Sequence, residues 1–200
     1  GALDNKLAIG TMNRGGIIGA TWELDDRVTA YDVDHIESLG LDGGKTLIRI
    51  DHQDPAVART LETVAAITTE LADRRLMSLI EPLPYLKDAN GGAILDTDPD
   101  ALIKVVAIAS GLGSSSAYSW LKLPTSDRMD EVAAATTLPI LMLGGEPKGA
   151  SGDIFDQWST AMKEPNIRGL TAGRTLLYPS DGDSESAAAR AGAIVHPHHS

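Results

Sequence analysis

The sequence predicts an α/β protein made of repeated strand–helix units around a parallel sheet. Three observations carry that prediction. Short apolar runs alternate with amphipathic stretches at roughly 30-residue spacing, the pattern of consecutive βα units. Two amphipathic stretches open on the same pair, Asp54-Pro55 and Asp98-Pro99, an N-cap followed by a proline pre-set for the first helical turn. Several apolar runs end in an acid, a proline or a glycine pair, as strands that feed loops do. Six strand-like runs are visible. That number suits an open doubly wound sheet, or a (β/α)8 barrel without two of its units, since a closed barrel takes eight strands and about 250 residues.

The elements follow in order. Leu7–Met12 reads as a strand running into the turn-like Asn13-Arg14-Gly15-Gly16, and Val33–Leu39 as a short helix ended by Gly40. Lys45–Asp51 is a strand with polar residues at alternate positions. The helix after Asp54-Pro55 carries an apolar stripe of Val57, Leu61, Val64 and Leu71. Met77–Pro82 is the next strand, followed by a glycine-rich stretch, Lys87–Thr97, expected to be a mobile loop. Leu102, Val105, Val106 and Ala109 form the inner face of the helix that Asp98-Pro99 opens, and Gly111 and Gly113 close it. Ala117–Pro124 is a strand carrying Lys122. A helix opening near Ser126 turns Met129, Val132 and Ala133 inward, and Pro139–Gly145 is a strand entering a glycine turn. Phe155, Trp158 and Met162 form a core-facing stripe, Ile167–Arg174 supplies the last strand, and a final helix passes through Ala187–Ala189. Residues 1–195 read as a single domain, with 196–200 as a disordered tail.

Composition bounds the chemistry. Of 200 residues, 42% are hydrophobic and 22% charged, which suits a soluble globular domain. The net charge of -11 disfavours nucleic acid as a partner, so any anion site must be built locally. No apolar run approaches the roughly 20 residues that span a bilayer, and nothing resembles a signal peptide, so the expectation is a cytoplasmic protein without membrane contact. With no cysteine, disulfides and thiolate chemistry are excluded. The five histidines, His35, His52, His196, His198 and His199, show no ligand spacing with acids, so no metal is expected. Ser114-Ser115-Ser116 lacks a nucleophile elbow. Asp25-Asp26 and Asp181-Gly182-Asp183 read as solvated loops.

Strand alternation then assembles a candidate site. Placing Lys122 inward turns Leu121 and Leu123 toward the helices; the inward set of the Lys45 strand is Lys45, Leu47, Arg49 and Asp51; and Glu81 points inward with Met77 and Leu79. Lysines, an arginine and two carboxylates make a poor core and a plausible active site, because unpaired charge is costly to bury. An unprotonated amine attacks a ketone, and partial burial beside other cations favours the free base. The resulting iminium is an electron sink for cleavage of a neighbouring C–C bond, and Glu81 is the natural proton carrier. The bland alternative is a buried Lys122–Glu81 salt bridge. A second constellation, Gly144-Gly145 with Gly173-Arg174, follows the last two strands, where barrels bind phosphate through backbone N–H groups. Its bland alternative is two tight turns and a solvent-facing arginine.

Gly43–Asp51, Ile80-Glu81-Pro82, Trp120–Pro124, Leu143-Gly144-Gly145 and Gly169–Arg174 fall in an order that resembles the class I, Schiff-base aldolases grouped with deoxyribose-phosphate and tagatose-bisphosphate aldolase. The likeness is greatest to an actinobacterial-type subgroup associated with inositol catabolism, and it spans Leu7 to about Tyr178. The resemblance implies a (β/α)8 TIM barrel of which this chain shows strands three to eight, N-terminally incomplete. It makes Lys122 the imine lysine, Glu81 the acid/base and Lys45 a second active-site lysine. It places Gly144, Gly145, Gly173 and Arg174 at the substrate's phosphate, while Arg49 and Asp51, inward on the Lys45 strand, are expected to contact the substrate. The family's first strand, source of a further acidic residue, has no counterpart, so an exposed apolar seam is expected there.

The implied activity is reversible aldol cleavage of a phosphorylated keto-deoxy sugar acid or ketose, without metal or cofactor. The subgroup points to 5-dehydro-2-deoxy-phosphogluconate, giving dihydroxyacetone phosphate and malonate semialdehyde. Deoxyribose-phosphate or ketose-bisphosphate cleavage is the enzymatic alternative. A truncated, non-catalytic sugar-phosphate-binding or assembly subunit is the alternative of another class. Association into a homo-oligomer is left open.

Overall fold

Capped helices and parallel strands alternate through the computed structural model, which describes residues 6–13, 24–144 and 153–197. The chain divides into two compact units, Gly1–Leu121 and Lys122–Ser200. In the first, β1 (Ile9–Thr11), α1 (Val33–Ser38), β2 (Gly43–Ile50), α2 (Ala56–Asp73), β3 (Met77–Lys87), β4 (Ala93–Leu95) and α3 (Pro99–Ser110) lead to β5 (Ser119–Leu123). Strands β1, β2, β3 and β5 pair in parallel in that order, with Thr11 opposite Lys45, Lys45 opposite Leu79 and Leu79 opposite Trp120.

Local chemistry explains where the helices begin. The Asp32 carboxylate accepts the His35 N–H at the start of α1, and Asp98 accepts the Asp100 N–H ahead of Pro99 in α3. Asp54 accepts the Ala56 N–H at 2.9 Å. The inner face of α3 is the expected one, with Leu102, Val105, Val106 and Ala109 all buried. That of α2 differs slightly: Val57, Val64 and Leu71 are buried together with Thr60 and Thr68, while Leu61 is only partly covered. Thr68 is acceptable there because its hydroxyl lies 3.0 Å from that of Ser78 on β3. Met12, Val33, Ile36 and Leu71 form a buried cluster beside β2.

One expectation is corrected. Strand β3 does not stop at Pro82 but runs to Lys87 and turns back into β4, with Tyr85 opposite Leu95 and Lys87 opposite Ala93. The stretch expected as a mobile loop is therefore a hairpin, and the described residues hold seven strands rather than six; the strands in parallel pairings remain six. Two features close the turn. The Asp88 carboxylate accepts the N–H groups of Asn90 and Gly92, each at 2.8 Å, and Gly91 takes a φ of +80° that only glycine adopts cheaply. Pro82 and Pro84 are two residues apart, so their missing donors fall on one side of the strand and the other side keeps its ladder.

In the second unit, the last residues of β5 are followed by α4 (Met129–Ala134), β6 (Ile140–Leu143), α5 (Ile154–Ala161), β7 (Ile167–Thr171), α6 (Arg174–Leu177) and α7 (Ser184–Val195). Strands β6 and β7 are parallel, with Ile140 opposite Ile167 and Leu143 opposite Thr171. Trp158 is fully buried, stacks edge-on against Phe155 at 5.2 Å and donates its indole N–H to the Leu143 carbonyl at 3.3 Å, tying α5 to the end of β6. Asn166 donates to the carbonyls of Ala133 and Thr136, which fixes the start of β7 to the end of α4. Asp183 caps α7, which runs for 12 residues around the expected Ala187–Ala189.

Two glycine substitutions test this packing in opposite directions. A Cβ on Gly43 would lie 2.2 Å from the Met77 carbonyl oxygen, a backbone atom that cannot swing away. Gly43→Ala should therefore cost about 1–3 kcal/mol in urea unfolding. Gly192 sits inside α7 with nothing within 4 Å of an added Cβ, so Gly192→Ala should raise stability by about 0.5–1 kcal/mol.

Candidate active site

Strand β2 presents two unlike faces. Thr46, Ile48 and Ile50 are buried together, whereas Lys45, Leu47 and Arg49 alternate with them on the opposite face. Parallel register sets Leu47 opposite Glu81, so Lys45 and Glu81 stand one step apart on adjacent strands. The Lys45 Nζ lies 3.1 Å from Glu81 Oε2, with side-chain exposures of 18% and 11%. The pair is shielded enough for strong electrostatics and open enough to meet a ligand.

Arg49 is held differently. Its guanidinium contacts the Asp26 carboxylate through Nη2 at 2.6 Å and Nε at 3.0 Å, and its backbone N–H donates to the same carboxylate at 2.8 Å. Asp26 has no exposed side-chain surface. This overturns the expectation of a solvated Asp25-Asp26 loop: an arginine pointing off β2 needs a carboxylate, and the segment before α1 supplies it. Burial pushes the Asp26 carboxyl above its usual range, against the pull of Arg49. The guanidinium carbon also lies 5.6 Å from the centroid of the Tyr85 ring on β3.

A neighbouring substitution of side chain for backbone completes this edge. β1 covers β2 only as far as Lys45, whose carbonyl takes the Met12 N–H. Beyond it, Asn13 accepts the Leu47 N–H and donates to the Leu47 carbonyl, both at 2.7 Å, and Asp26 then accepts the Arg49 N–H. Asn13 and Asp26 thus continue the ladder with side chains where β1 has ended. The sequence offers Asn13 only as part of a turn and Asp26 only as part of a solvated loop. The available clue was an acid pair in the loop after one strand, with an inward arginine on the next.

Asp51 follows β2, is buried, and accepts the Gln53 N–H at 2.9 Å. Asp54 lies 3.0 Å from the Lys87 Nζ at the end of β3. The Ala56 N–H and then Lys87 hold the Asp54 carboxyl below its usual value, while Asp54 raises Lys87. The first unit therefore sets Lys45 near the start of β2 against Glu81 in the middle of β3, and Arg49 near the end of β2 against Asp26 and Tyr85, with Asp51 following the strand.

Lys122 is partly buried on β5 between Leu121 and Leu123, which are fully buried, in keeping with the alternation read from the sequence. In the second unit, an added Cβ on Gly144 would lie 2.9 Å from the Thr175 hydroxyl and 3.1 Å from the Ala172 Cβ. The end of β6 is thus pressed against the turn that carries Gly173 and Arg174. Gly173 opens α6 with open space around it, and Arg174 is exposed. Gly145 lies outside the described residues, as do Arg14-Gly15-Gly16 and residues 198–200. Among the described residues, no three His, Asp or Glu side chains come together to hold a metal ion, and no helix is long and apolar enough to cross a membrane.

The profile of the Cgl0159-like family matches residues 1–192. The chain belongs to the Cgl0159-like family. The crystal structure of Cgl0159 from Corynebacterium glutamicum (Brevibacterium flavum) superposes with a TM-score of 0.92 at 45% identity, covering 98% of this chain and 66% of that one. The chain thus spans just under two thirds of that relative's length. An archaeal fructose 1,6-bisphosphate aldolase matches with a TM-score of 0.71 at 17% identity, over 96% of this chain and 72% of that chain. An archaeal fructose-1,6-bisphosphate aldolase whose catalytic lysine is covalently bound to the carbinolamine intermediate matches with a TM-score of 0.70 at 18% identity, over the same shares. No curated protein matches the sequence. The Cgl0159-like chain therefore has the α/β fold of these aldolases, with parallel strands consistent with their barrel-like architecture.

The Asp54 contacts give a pH prediction. Its folded-state value lies below its usual 3.8, so its stabilising contribution is present above that pH and is lost as pH falls through the lowered value. Melting temperatures of the wild type and Asp54→Asn should differ near pH 7 and converge as the solution is acidified below about pH 4.

Proposed function

We propose that this Cgl0159-like protein is a class I aldolase that forms a Schiff base at Lys122. The observation that carries the proposal is the Lys45–Glu81 contact. An ammonium and a carboxylate 3.1 Å apart and partly exposed stand on one strand face, in a fold shared with aldolases of which one is known with its lysine bound to a carbinolamine. Buried ion pairs seldom add net stability, so a partly shielded pair on the sheet face suits proton traffic better than packing.

The chemistry runs as follows. The Lys122 amine adds to the substrate ketone to give a carbinolamine, which takes up a proton and loses water to give the iminium. Glu81 and Lys45 move those protons. A base then takes the proton of the hydroxyl β to the iminium carbon; the C–C bond breaks, its electron pair enters the iminium to form an enamine, and an aldehyde departs. Protonation of the enamine carbon and addition of water release the second product and the free amine. Arg49 and Asp51 hold the substrate's polar groups. Gly144, Gly145, Gly173 and Arg174 take its phosphate through backbone N–H groups and a guanidinium.

The substrate class is a phosphorylated keto-deoxy sugar acid or ketose. 5-Dehydro-2-deoxy-phosphogluconate is the first choice, which would place the protein in inositol catabolism in the cytoplasm. Borohydride reduction in the presence of dihydroxyacetone phosphate should add one adduct mass, mapped to Lys122 by peptide sequencing and abolished by Lys122→Ala. An adduct that survives this substitution sinks the assignment, and one that moves to Lys45 exchanges the two lysines. Cleavage across a panel of 5-dehydro-2-deoxy-phosphogluconate, deoxyribose 5-phosphate and fructose 1,6-bisphosphate, insensitive to EDTA, should then rank the first highest. Binding of these compounds with neither adduct nor cleavage would favour the non-catalytic alternative.

A further inference from the structure

We infer that Trp120 is a specificity-determining residue that donates its indole N–H to the substrate hydroxyl on the carbon next to the imine carbon. The inference rests on the reading of Lys122 as the imine lysine. Within β5, Ser119, Leu121 and Leu123 are buried, and Trp120 and Lys122, each partly covered, alternate with them on the other side. Register sets Lys45, Leu79 and Trp120 in one row across β2, β3 and β5. Trp158 offers a comparison: it is fully buried, and its N–H donates to the Leu143 carbonyl. The Trp120 N–H meets no acceptor among the described residues. Nor is it one of their fully enclosed polar atoms without a partner, which belong to Thr46, Ser119 and Gln157. A tryptophan used only for packing normally satisfies that donor. Trp120 instead keeps one open to a ligand.

Residues two apart on a strand are roughly 6.6 Å from each other, so a group bound at the Lys122 side chain comes within reach of the indole. Iminium formation expels the ketone oxygen as water. Two oxygens then remain on the carbons flanking the imine carbon. One belongs to the phosphate ester, which the proposed function assigns to Gly144, Gly145, Gly173 and Arg174. The other is the free hydroxyl, whose lack of charge suits a neutral donor. A site that donates to a hydroxyl discriminates against the analogue lacking it, because the donor is then left unpaired. The contact therefore favours ketoses and keto-deoxy sugar acids that carry this hydroxyl over deoxyribose 5-phosphate, which has a CH2 at the corresponding carbon.

Calorimetric titration of the full chain with dihydroxyacetone phosphate, and separately with hydroxyacetone phosphate, which has hydrogen in place of the free hydroxyl, tests this. The wild type should prefer dihydroxyacetone phosphate by about 10-fold or more. Trp120→Phe keeps an aromatic ring and removes the N–H. It should abolish that preference by weakening dihydroxyacetone phosphate while leaving hydroxyacetone phosphate nearly unchanged. The inference is overturned if the wild type binds neither ligand or shows no preference, if Trp120→Phe leaves the preference intact, or if it weakens both ligands alike, as a packing role would. Should Trp120→Phe fail to fold, Trp120→Leu, which also lacks the N–H, is read by the same ratio. Borohydride trapping on the same samples separates the two proposals. A preference that depends on Trp120 without any adduct at Lys122 keeps the contact and removes the Schiff base. An adduct at Lys122 with a preference indifferent to Trp120→Phe keeps the Schiff base and removes the contact.

Discussion

Placing charge on a shielded strand face is the constraint on which the first unit depends. Moving an ion out of water costs several kcal/mol even after relaxation, so each cation on or beside β2 must meet a carboxylate at close range. The partners come from different elements: Lys45 from Glu81 on β3, Arg49 from Asp26 in the segment before α1, and Lys87 from Asp54 in the loop after β2. Each contact therefore fixes one element against another. Helix starts serve the same end, since Asp54 both accepts the first N–H of α2 and pairs with Lys87. The result is a set of charged residues on and beside β2, each held by a partner from another element.

Backbone accounting explains why that arrangement is possible. A three-residue β1 cannot cover an eight-residue β2, and the uncovered N–H and C=O groups would be orphaned. Asn13 and Asp26 answer with side-chain amide and carboxylate groups. In doing so they bring an acid to Arg49 that a regular strand would have placed elsewhere. In the second unit, the bare Cα of Gly144 lets the end of β6 approach the turn at Gly173 so closely that a methyl group would collide.

Most of the parallel strand order was legible, because it follows from apolar runs, Asp-Pro helix starts and alternation. The shared face of Lys45, Leu47 and Arg49 on β2 was legible for the same reason, since alternate positions of a strand point to one side. Asp26 was not, since an acid pair in a loop usually faces water, and its burial depends on an arginine 23 residues later. The β3–β4 hairpin is not legible because prolines and glycines read as breakers, although Pro82 and Pro84 sit within a continuous strand and Asp88 closes the turn. Phe155 and Trp158 met the expectation of a core stripe, whereas Met162 falls just past the helix end and is only partly covered.

The proposed activity needs an amine that activates a carbon and a lysine–glutamate pair that moves its proton. Exchange of hydrogen at the hydroxymethyl carbon of dihydroxyacetone phosphate in heavy water, followed by proton NMR, reads both at once and needs no aldehyde. Wild-type protein should replace one of the two hydrogens stereospecifically, and Glu81→Gln should slow that exchange about 100-fold or more. Absence of exchange in the wild type, or a rate indifferent to Glu81→Gln, would contradict it.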